Sequence, residues 1–286
     1  MMWIGIAFVF LVPVTQGVDW CYHDPACNKA TWMCGGNRQS PIDIVSVKDM
    51  RDRNLEPFSF INLDSQSALT LITNKNNAVK MTLASEVSVS RGGLPEEYKS
   101  LKFLLHWDRG ASVSGSEHNV DGKCWTVQLH IVSMKEFVND LPTAFTDSNG
   151  VAAFGVLIEA DEPVSLKTHP TLFPYKDNYV TLTDGISLDD LLPGVDRTKF
   201  YRYLSSLTTP NCEESVNWTV FKDPVKVNSD LTELFATSLL VGNSTSLLIV
   251  DKYRSIQPGQ TVTYSSNPQT SHSFGLIFCA LVLWMR

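Results

Sequence analysis

The sequence predicts a single, mostly β domain with a few short helices. Apolar or alternating stretches bounded by turn residues recur along the chain, and this pattern is typical of strands. The strands have uneven lengths and do not alternate regularly with helices, which argues against a doubly wound sheet. With 286 residues, 43% of them hydrophobic, the chain can bury the core of one large domain.

The clearest pair of strands lies within residues 101–132, where two apolar runs flank a long polar loop. Further strands are predicted at residues 57–63, 68–73, 79–90 and 151–160. A short capped helix is predicted at residues 187–192. Ser229 or Asp230 can cap a second helix. The apolar face of that helix would consist of Leu231, Leu234, Phe235 and Leu239.

The formal net charge of the chain is -7. This charge argues against nucleic acid or an anionic membrane surface as a partner, because both repel an acidic protein. The sequence contains no internal repeat and no low-complexity block. Composition therefore indicates an ordinary globular domain.

Residues 1–17 form a mostly apolar stretch that ends in Thr15-Gln16-Gly17. The stretch is too short to span a membrane and has small residues near its end, so it is interpreted as a cleaved secretory signal. The alternative is a buried N-terminal segment. Under the first interpretation the folded domain covers residues 18–264.

Residues 265–286 provide a second targeting signal. An apolar run of about twelve residues precedes the terminal Arg286, which is shorter than the roughly twenty residues that a membrane-spanning helix needs. Small residues and a short polar spacer lie upstream. This arrangement is typical of a GPI-attachment signal, with Ser265 or Ser266 as the attachment residue. The alternative is a core element of the domain.

Five cysteines lie outside this tail, at positions 21, 27, 34, 124 and 212. In an oxidising compartment they should pair where geometry allows, but sequence alone does not determine the connectivity. One cysteine must remain unpaired. Asn243-Ser244-Thr245 is a predicted glycosylation site in a polar loop. Asn217 also begins an acceptor motif, but it falls on a predicted core strand.

Side chains two positions apart in a strand point to the same face. Leu104 and His106 therefore share a face of one strand, and Gln128 and His130 share a face of the other. If these strands are neighbours, the two imidazoles converge, as in half of a zinc site. The alternative is that each histidine is a hydrogen-bonded core residue.

Several short motifs surround these histidines. They are Arg38-Gln39-Ser40-Pro41-Ile42-Asp43-Ile44, Leu105-His106-Trp107, Gly115-Ser116-Glu117-His118-Asn119-Val120-Asp121-Gly122, Leu129-His130-Ile131-Val132, Ser206-Leu207-Thr208-Thr209-Pro210 and Trp218-Thr219-Val220. In order and spacing they resemble the α-carbonic anhydrase family from about Trp20 to Thr263. The resemblance implies one large, twisted, mainly antiparallel sheet with a conical cleft that reaches its middle.

The resemblance also shows what the chain lacks. The family has His-x-His-Trp on the first strand, and here Leu104 occupies the position of the first zinc ligand. His106 and His130 match the other two ligands. Gln128 occupies the place of a glutamate that orients a liganding imidazole. Asn77 stands where many active members have a proton-shuttling histidine, and asparagine does not titrate near neutral pH.

Other positions match the family's site. Thr208 matches the residue that orients the zinc-bound hydroxide, and Glu117 matches the carboxylate that accepts the threonine's hydroxyl proton. The matched residues that line the CO2 pocket are Val132, Ala153, Leu207, Thr209 and Trp218, with Ala153 smaller than usual. Resemblance to the anchored branch of the family implies the disulfides Cys21–Cys27 and Cys34–Cys212. Cys124 would then be either buried and inert or a free thiol available to another chain.

We expect a cell-surface, GPI-anchored carbonic anhydrase-like protein. Zinc is the family cofactor and reversible CO2 hydration to bicarbonate is its reaction, but Leu104 predicts weak or lost activity. The fold would then serve as an extracellular binding module with a protein partner. The alternative is an active, membrane-anchored carbonate dehydratase with an altered zinc site. A serine hydrolase is excluded because the chain has no G-x-S-x-G motif.

Overall fold

The computed structural model of the protein describes residues 20–22, 24–75, 78–161, 179–181, 187–241 and 247–265. Across these residues the chain forms fifteen strands, two α-helices and three short 3-10 helices. The prediction of a mostly β chain with few, short helices is therefore confirmed. None of the helices in these ranges is long and apolar enough to cross a membrane.

The strands, in chain order, are β1 (Asp43–Ile44), β2 (Met50–Arg51), β3 (Phe58–Ile61), β4 (Leu69–Lys75), β5 (Ala78–Leu83), β6 (Ser88–Arg91), β7 (Tyr98–Trp107), β8 (Asn119–Val120), β9 (Val127–Lys135), β10 (Val151–Asp161), β11 (Tyr179–Thr181), β12 (Phe200–Ser205), β13 (Val216–Phe221), β14 (Val225–Asn228) and β15 (Thr263–Tyr264). The α-helices are α1 (Leu141–Ala144) and α2 (Ser229–Ser238). The 3-10 helices are Lys29–Thr31, Ser46–Lys48 and Asp189–Leu191.

Thirteen of these strands form one sheet, whose main path runs β11-β4-β5-β7-β9-β10-β13-β12-β15-β2. β6 also pairs with β7, β3 pairs with β6, and β14 pairs with β10. Most neighbours are antiparallel, whereas β10 runs parallel to β13 and β14, and β15 runs parallel to β2. β1 and β8 form a separate parallel pair. The expected large, mainly antiparallel sheet is confirmed.

The two central strands β7 and β9 present different side chains on their two faces. The odd-numbered residues belong to the larger apolar cluster of the core: Phe103, Leu105, Trp107, Leu129 and Ile131. Burying each of these side chains stabilises the fold by roughly 1.5–3 kcal/mol. The even-numbered residues, among them Leu104, His106 and His130, face the opposite side. A second apolar cluster that includes Val132 covers part of that side.

Two predicted elements differ from the structure in more than their end residues. The stretch 79–90 divides into β5 and β6, because a turn forms in which the Val87 N–H donates to Ala84 O. Val87 is fully buried, so the apolar pattern continues through the turn and conceals it. Residues 187–192 form only a single 3-10 turn, in which the Asp190 carboxylate accepts from Ser187 N–H.

The second predicted helix is α2, and its cap differs from the prediction. Asn228, rather than Ser229 or Asp230, caps the helix, and its side-chain oxygen accepts from the Asp230 N–H at 2.8 Å. Leu239 follows the last helical residue, yet it is fully buried. Its side chain therefore packs into the core from an extended backbone rather than from the helix face.

Candidate metal centre and its cleft

The site lies on the even-numbered face of β7 and β9. Leu104 is directly opposite His130 in the antiparallel ladder, and His106 is opposite Gln128. The ring centroids of His106 and His130 are 4.4 Å apart, and both side chains are almost fully buried. The structure thus brings the two predicted histidines together. Leu104 lies beside them and offers no donor atom.

A buried carboxylate lies between the two imidazoles. Glu117 Oε1 is 3.4 Å from His106 Nδ1, and Glu117 Oε2 is 3.6 Å from His130 Nδ1. The Arg254 N–H donates to Oε1 at 2.8 Å, while Oε2 has no hydrogen-bond partner among the residues that the structure describes. Burial raises the pKa of Glu117 to about 7, an effect that Thr208 and Arg254 partly oppose. Potential donor atoms of His106, Glu117 and His130 all lie within 4.8 Å of one another.

The nitrogens of the two imidazoles have different surroundings. His106 Nδ1 is 3.1 Å from the Lys252 carbonyl oxygen. Because Nδ1 faces this carbonyl, Nε2 points away from it. His130 Nε2 is buried and has no hydrogen-bond partner among the described residues. Burial lowers the pKa of both histidines well below the usual value, and the nearby Lys252 lowers them further. Both rings are therefore neutral at physiological pH.

Gln128 does not orient His130. Its Oε1 accepts from the backbone N–H groups of Glu117 and His118, at 3.0 and 2.9 Å. Its Nε2 lies 3.1 Å from His118 Nδ1. Gly155 is opposite His130, and a side chain there would collide with the Gln128 amide, whose nitrogen would lie 2.6 Å from its Cβ. Gln128 therefore fixes the loop that carries Glu117.

The same network reaches two residues that the sequence prediction did not include. His118 Nε2 is 2.5 Å from the Tyr203 hydroxyl, which lies 3.0 Å from Ser40 Oγ. Burial lowers the pKa of His118 to about 4, although the contact with Gln128 acts in the opposite direction. His118 lies inside a quoted motif, but nothing in the local sequence links it to Tyr203.

Four of the five predicted pocket residues lie in or against the second apolar cluster. Val132, Ala153 and Trp218 belong to the second apolar cluster, and Leu207 packs against it. The Trp218 ring lies 4.8 Å from that of His130, and its Nε1–H donates to Ser206 O at 2.8 Å. This hydrogen bond connects β13 to the loop that carries Thr208. Trp218 thereby positions the loop relative to His130.

Leu104 and His106 also line a cleft of about 210 Å³. Its other lining residues are Trp20, Tyr22, Lys75, Lys80, Lys102, Thr209 and Lys252. Lys252 is almost fully buried; its ammonium donates to Leu105 O and lies 4.5 Å from the centre of the Trp107 ring. Burial lowers the pKa of Lys252 to about 7, so Lys75, Lys80 and Lys102 account for most of the positive charge of the cleft, and this charge disfavours a bound cation.

The residues present do not fit the zinc site that the resemblance implies. A catalytic zinc ion usually takes three protein ligands and one water molecule. Leu104 replaces one nitrogen donor with an apolar side chain, and a carboxylate lies between the remaining two imidazoles. Glu117 Oε2 and His130 Nε2, which are buried and lack a hydrogen-bond partner in the described part of the chain, belong to this incomplete donor set.

Two disulfides connect the N-terminal segment to itself and to the site. Cys21 pairs with Cys27, and Cys34 pairs with Cys212, 178 residues along the chain. These are the pairs that the resemblance implies. Cys124 is free and half-buried, and its Sγ lies 3.2 Å from Ser116 Oγ. The second disulfide holds the segment before β1 against the loop after Thr208.

Several predicted sites lie outside the described residues. They are the signal segment 1–17, Asn77, Asn243, Ser266 and the apolar tail. Ser265 is described, and it is 2% exposed. Its Oγ donates to Thr198 O at 2.7 Å and accepts from the Phe200 N–H at 2.8 Å. Its side chain is therefore bonded to the segment that begins β12.

The central sheet and the converging histidines define a protein of the carbonic anhydrase class. The family model described as eukaryotic-type carbonic anhydrase matches residues 23–266. The chain belongs to this family. Members of the family, which are the standard example of catalytic zinc, hold the ion with three histidines and hydrate CO2.

Individual relatives agree with this assignment. The chain is 32% identical to carbonic anhydrase 4 of Oryctolagus cuniculus over 254 residues, which covers 85% of this chain and 82% of the relative. It is 35% identical to carbonic anhydrase 12 of Homo sapiens over 236 residues, covering 78% and 65% of the two chains. It is 28% identical to carbonic anhydrase 6 of Bos taurus, covering 95% and 89%.

Proposed function

We propose that this protein is a carbonic anhydrase-related binding protein in which CO2 hydration is weak or lost. The observation that carries the proposal is Leu104, which lies opposite His130 where the family's first zinc ligand belongs. A missing ligand lowers zinc affinity strongly, since even loss of a group that only orients a ligand costs about 10- to 100-fold. Gln128, which is bonded to His118, adds such a loss.

Zinc content tests this proposal directly. The full chain, produced in a secretory host and purified, is dialysed against trace zinc and analysed for metal, and its CO2 hydration is then measured. We expect far less than one zinc ion per chain and hydration close to the uncatalysed rate. About one zinc ion per chain together with rapid hydration would refute the proposal.

The alternative, an active carbonate dehydratase with an altered zinc site, has one observation in its favour. Glu117 supplies a third donor within 4.8 Å of the donor atoms of His106 and His130. Thr208 and Thr209 are also retained. In that case the same zinc measurement gives about one ion per chain, and Glu117→Gln removes it.

We further propose that the folded domain, residues 18–264, is displayed outside the cell. Two disulfides support this placement, because such bonds persist in oxidising compartments. Residues 1–17 would be the signal and 265–286 the GPI-attachment segment, with Ser266 favoured over the buried Ser265 as the attachment residue. Release of the protein from intact cells by a phosphatidylinositol-specific phospholipase would support the anchor, and retention after treatment would refute it.

Glycosylation at Asn243 is part of the same proposal. Asn217, the other acceptor, lies on β13 and is only 5% exposed, so its amide is inaccessible to a glycan. Removal of N-linked glycans should increase the gel mobility of the wild-type protein and leave that of the Asn243→Gln variant unchanged. A mobility change in the variant would point to Asn217.

A further inference from the structure

Four lysines line the cleft that Leu104 and His106 also line. Lys75, Lys80, Lys102 and Lys252 make up almost half of the residues that line the 210 Å³ cleft, and none of the lining residues is acidic. We call this set, with Leu104 at its centre, the lysine cleft. Because the whole chain has a net charge of -7, the positive charge of Lys75, Lys80 and Lys102 is a local feature of this cleft.

The sheet brings the lysines together from distant parts of the chain. Lys80 on β5 is opposite Leu104, and Lys102 precedes Leu104 by two residues on the same face of β7. Lys75 ends β4, which pairs with β5. Lys252 comes from the segment after β14 and α2, and its carbonyl contacts His106.

Lys80 and Lys102 carry positive charges close to each other on one face of the sheet. Neither residue forms an ion pair with an acidic side chain in the part of the chain that the structure describes, although both are only partly exposed. Burial lowers the pKa of Lys102, and repulsion from Lys80 lowers it further. Two like charges on one face repel each other, and an anion between them would remove that repulsion.

The other residues that line the cleft can contact an organic group attached to such an anion. The Thr209 side chain offers a hydroxyl, and Trp20 and Tyr22 provide aromatic surface. These two rings pack edge to face with a centroid distance of 5.6 Å. The single Cys21–Cys27 disulfide holds the short segment that carries them. An aromatic wall beside cationic side chains is suited to an ester rather than to a bare ion.

We propose that the lysine cleft binds a sulfate or phosphate ester, whose tetrahedral anion contacts Lys80 and Lys102 and whose organic part contacts Trp20 and Tyr22. Lysine ammonium groups are compact point charges that suit such oxyanions. The inference deepens the proposed function and rests on its loss of zinc, because a zinc ion at this position would itself attract anions.

The test measures anion binding to the full-length protein by calorimetry at constant ionic strength and at neutral pH. The probes are inorganic sulfate, inorganic phosphate, glucose 6-sulfate and glucose 6-phosphate, with acetate as the singly charged comparison. Zinc content is determined in the same sample. We expect both types of dianion to bind more tightly than acetate, and at least one ester to bind more tightly than its inorganic ion. The preferred ester identifies the source of the anion.

The variant is the double substitution K80Q/K102Q, and its matched control is K48Q/K226Q, which removes the same charge from exposed lysines outside the cleft. K80Q/K102Q should weaken ester binding by at least about tenfold, and the control by less than about twofold. Without ligand, K80Q/K102Q should also melt at a higher temperature, because a repulsive pair is gone. Equal weakening in both double variants would overturn the proposal.

The two proposals fail in different ways. Ester binding in zinc-free protein supports both. Ester binding that appears only with about one bound zinc ion overturns both, because the metal would then be the anion site. The lysine cleft is overturned as an ester site if zinc-free protein binds no ester. It is also overturned if neither ester binds more tightly than its inorganic ion. The proposed loss of CO2 hydration would remain valid.

Discussion

Lys80 lies directly opposite Leu104 in the antiparallel ladder between β5 and β7. A leucine where the family has a zinc ligand, next to a lysine, opposes metal binding in two ways. The leucine removes a donor atom, and the ammonium adds a repulsive charge. Substitutions at these two positions therefore test whether the missing donor atom and the added charge oppose metal binding.

Leu104→His should restore zinc binding, because it completes a set of three imidazoles with His106 and His130. We expect about one zinc ion per chain and measurable CO2 hydration. Adding Lys80→Gln should tighten zinc severalfold more, since it removes the repulsive charge. Metal analysis and a hydration assay check both variants.

The control for this experiment is Leu104→Ala, which removes the leucine without adding a donor and should remain zinc-free. A chelator should lower the melting temperature of the Leu104→His variant, because a bound metal stabilises only the folded state. It should leave that of the wild type unchanged. Failure of Leu104→His to bind zinc would show that the Glu117 carboxylate or the lysines block the site.

Gln128 and Tyr203 should contribute unequally to stability. Gln128→Leu leaves the buried N–H groups of Glu117 and His118 without an acceptor, and we expect a loss of about 2 to 4 kcal/mol. Tyr203→Phe removes only a hydroxyl bonded to His118 and Ser40, and should cost about 1 to 2 kcal/mol. Urea unfolding measures both, and the reverse order would contradict the assigned hydrogen bonds.

The Cys34–Cys212 disulfide should be the more stabilising of the two. In the chain-entropy account, closing a loop across 178 residues contributes about 5 kcal/mol, and the Cys21–Cys27 loop about 2 kcal/mol. We therefore expect C34S/C212S to lower the free energy of unfolding by more than C21S/C27S does. Chemical denaturation of the two double variants compares them, and equal losses would contradict this account.

Asp49 should make stability depend on pH. Burial raises the pKa of this carboxyl to about 6; Lys222 opposes the shift, and Asp121 adds to it. The folded state therefore holds a proton that the unfolded state releases, so stability falls as pH rises from about 4 to about 6. Because Asp49 is partly solvent-exposed, the effect is limited to about 1 kcal/mol.

The variant Asp49→Asn removes this dependence. We expect it to raise the free energy of unfolding at pH 7.5 and to have little effect at pH 4. The exposed Asp64→Asn serves as the control and should match the wild type at both values. Urea titrations at the two pH values give the comparison, and equal effects of Asp49→Asn at both would contradict it.

Alternation along β7 and β9 was sufficient to predict which side chains share a face, and hence that His106 and His130 would meet if the two strands were neighbours. That the strands are neighbours is shown by the structure. The sequence was not sufficient for contacts between distant segments. His118 and Tyr203 are 85 residues apart, and no local pattern links them. The lysine cleft also escaped prediction, since its four members are scattered through an acidic chain and only the sheet brings them together.

The long span of the Cys34–Cys212 bond affects synthesis as well as stability. Domains begin to fold while the chain is being made, so in a secreted chain Cys34 and Cys124 would reach the oxidising compartment well before Cys212. During that interval Cys124 is the nearest unpaired thiol to Cys34 outside the Cys21–Cys27 loop. A transient Cys34–Cys124 bond would have to be exchanged before the loop after Thr208 could close. The yield of correctly bridged protein should therefore depend on a disulfide isomerase, and Cys124→Ser should reduce that dependence.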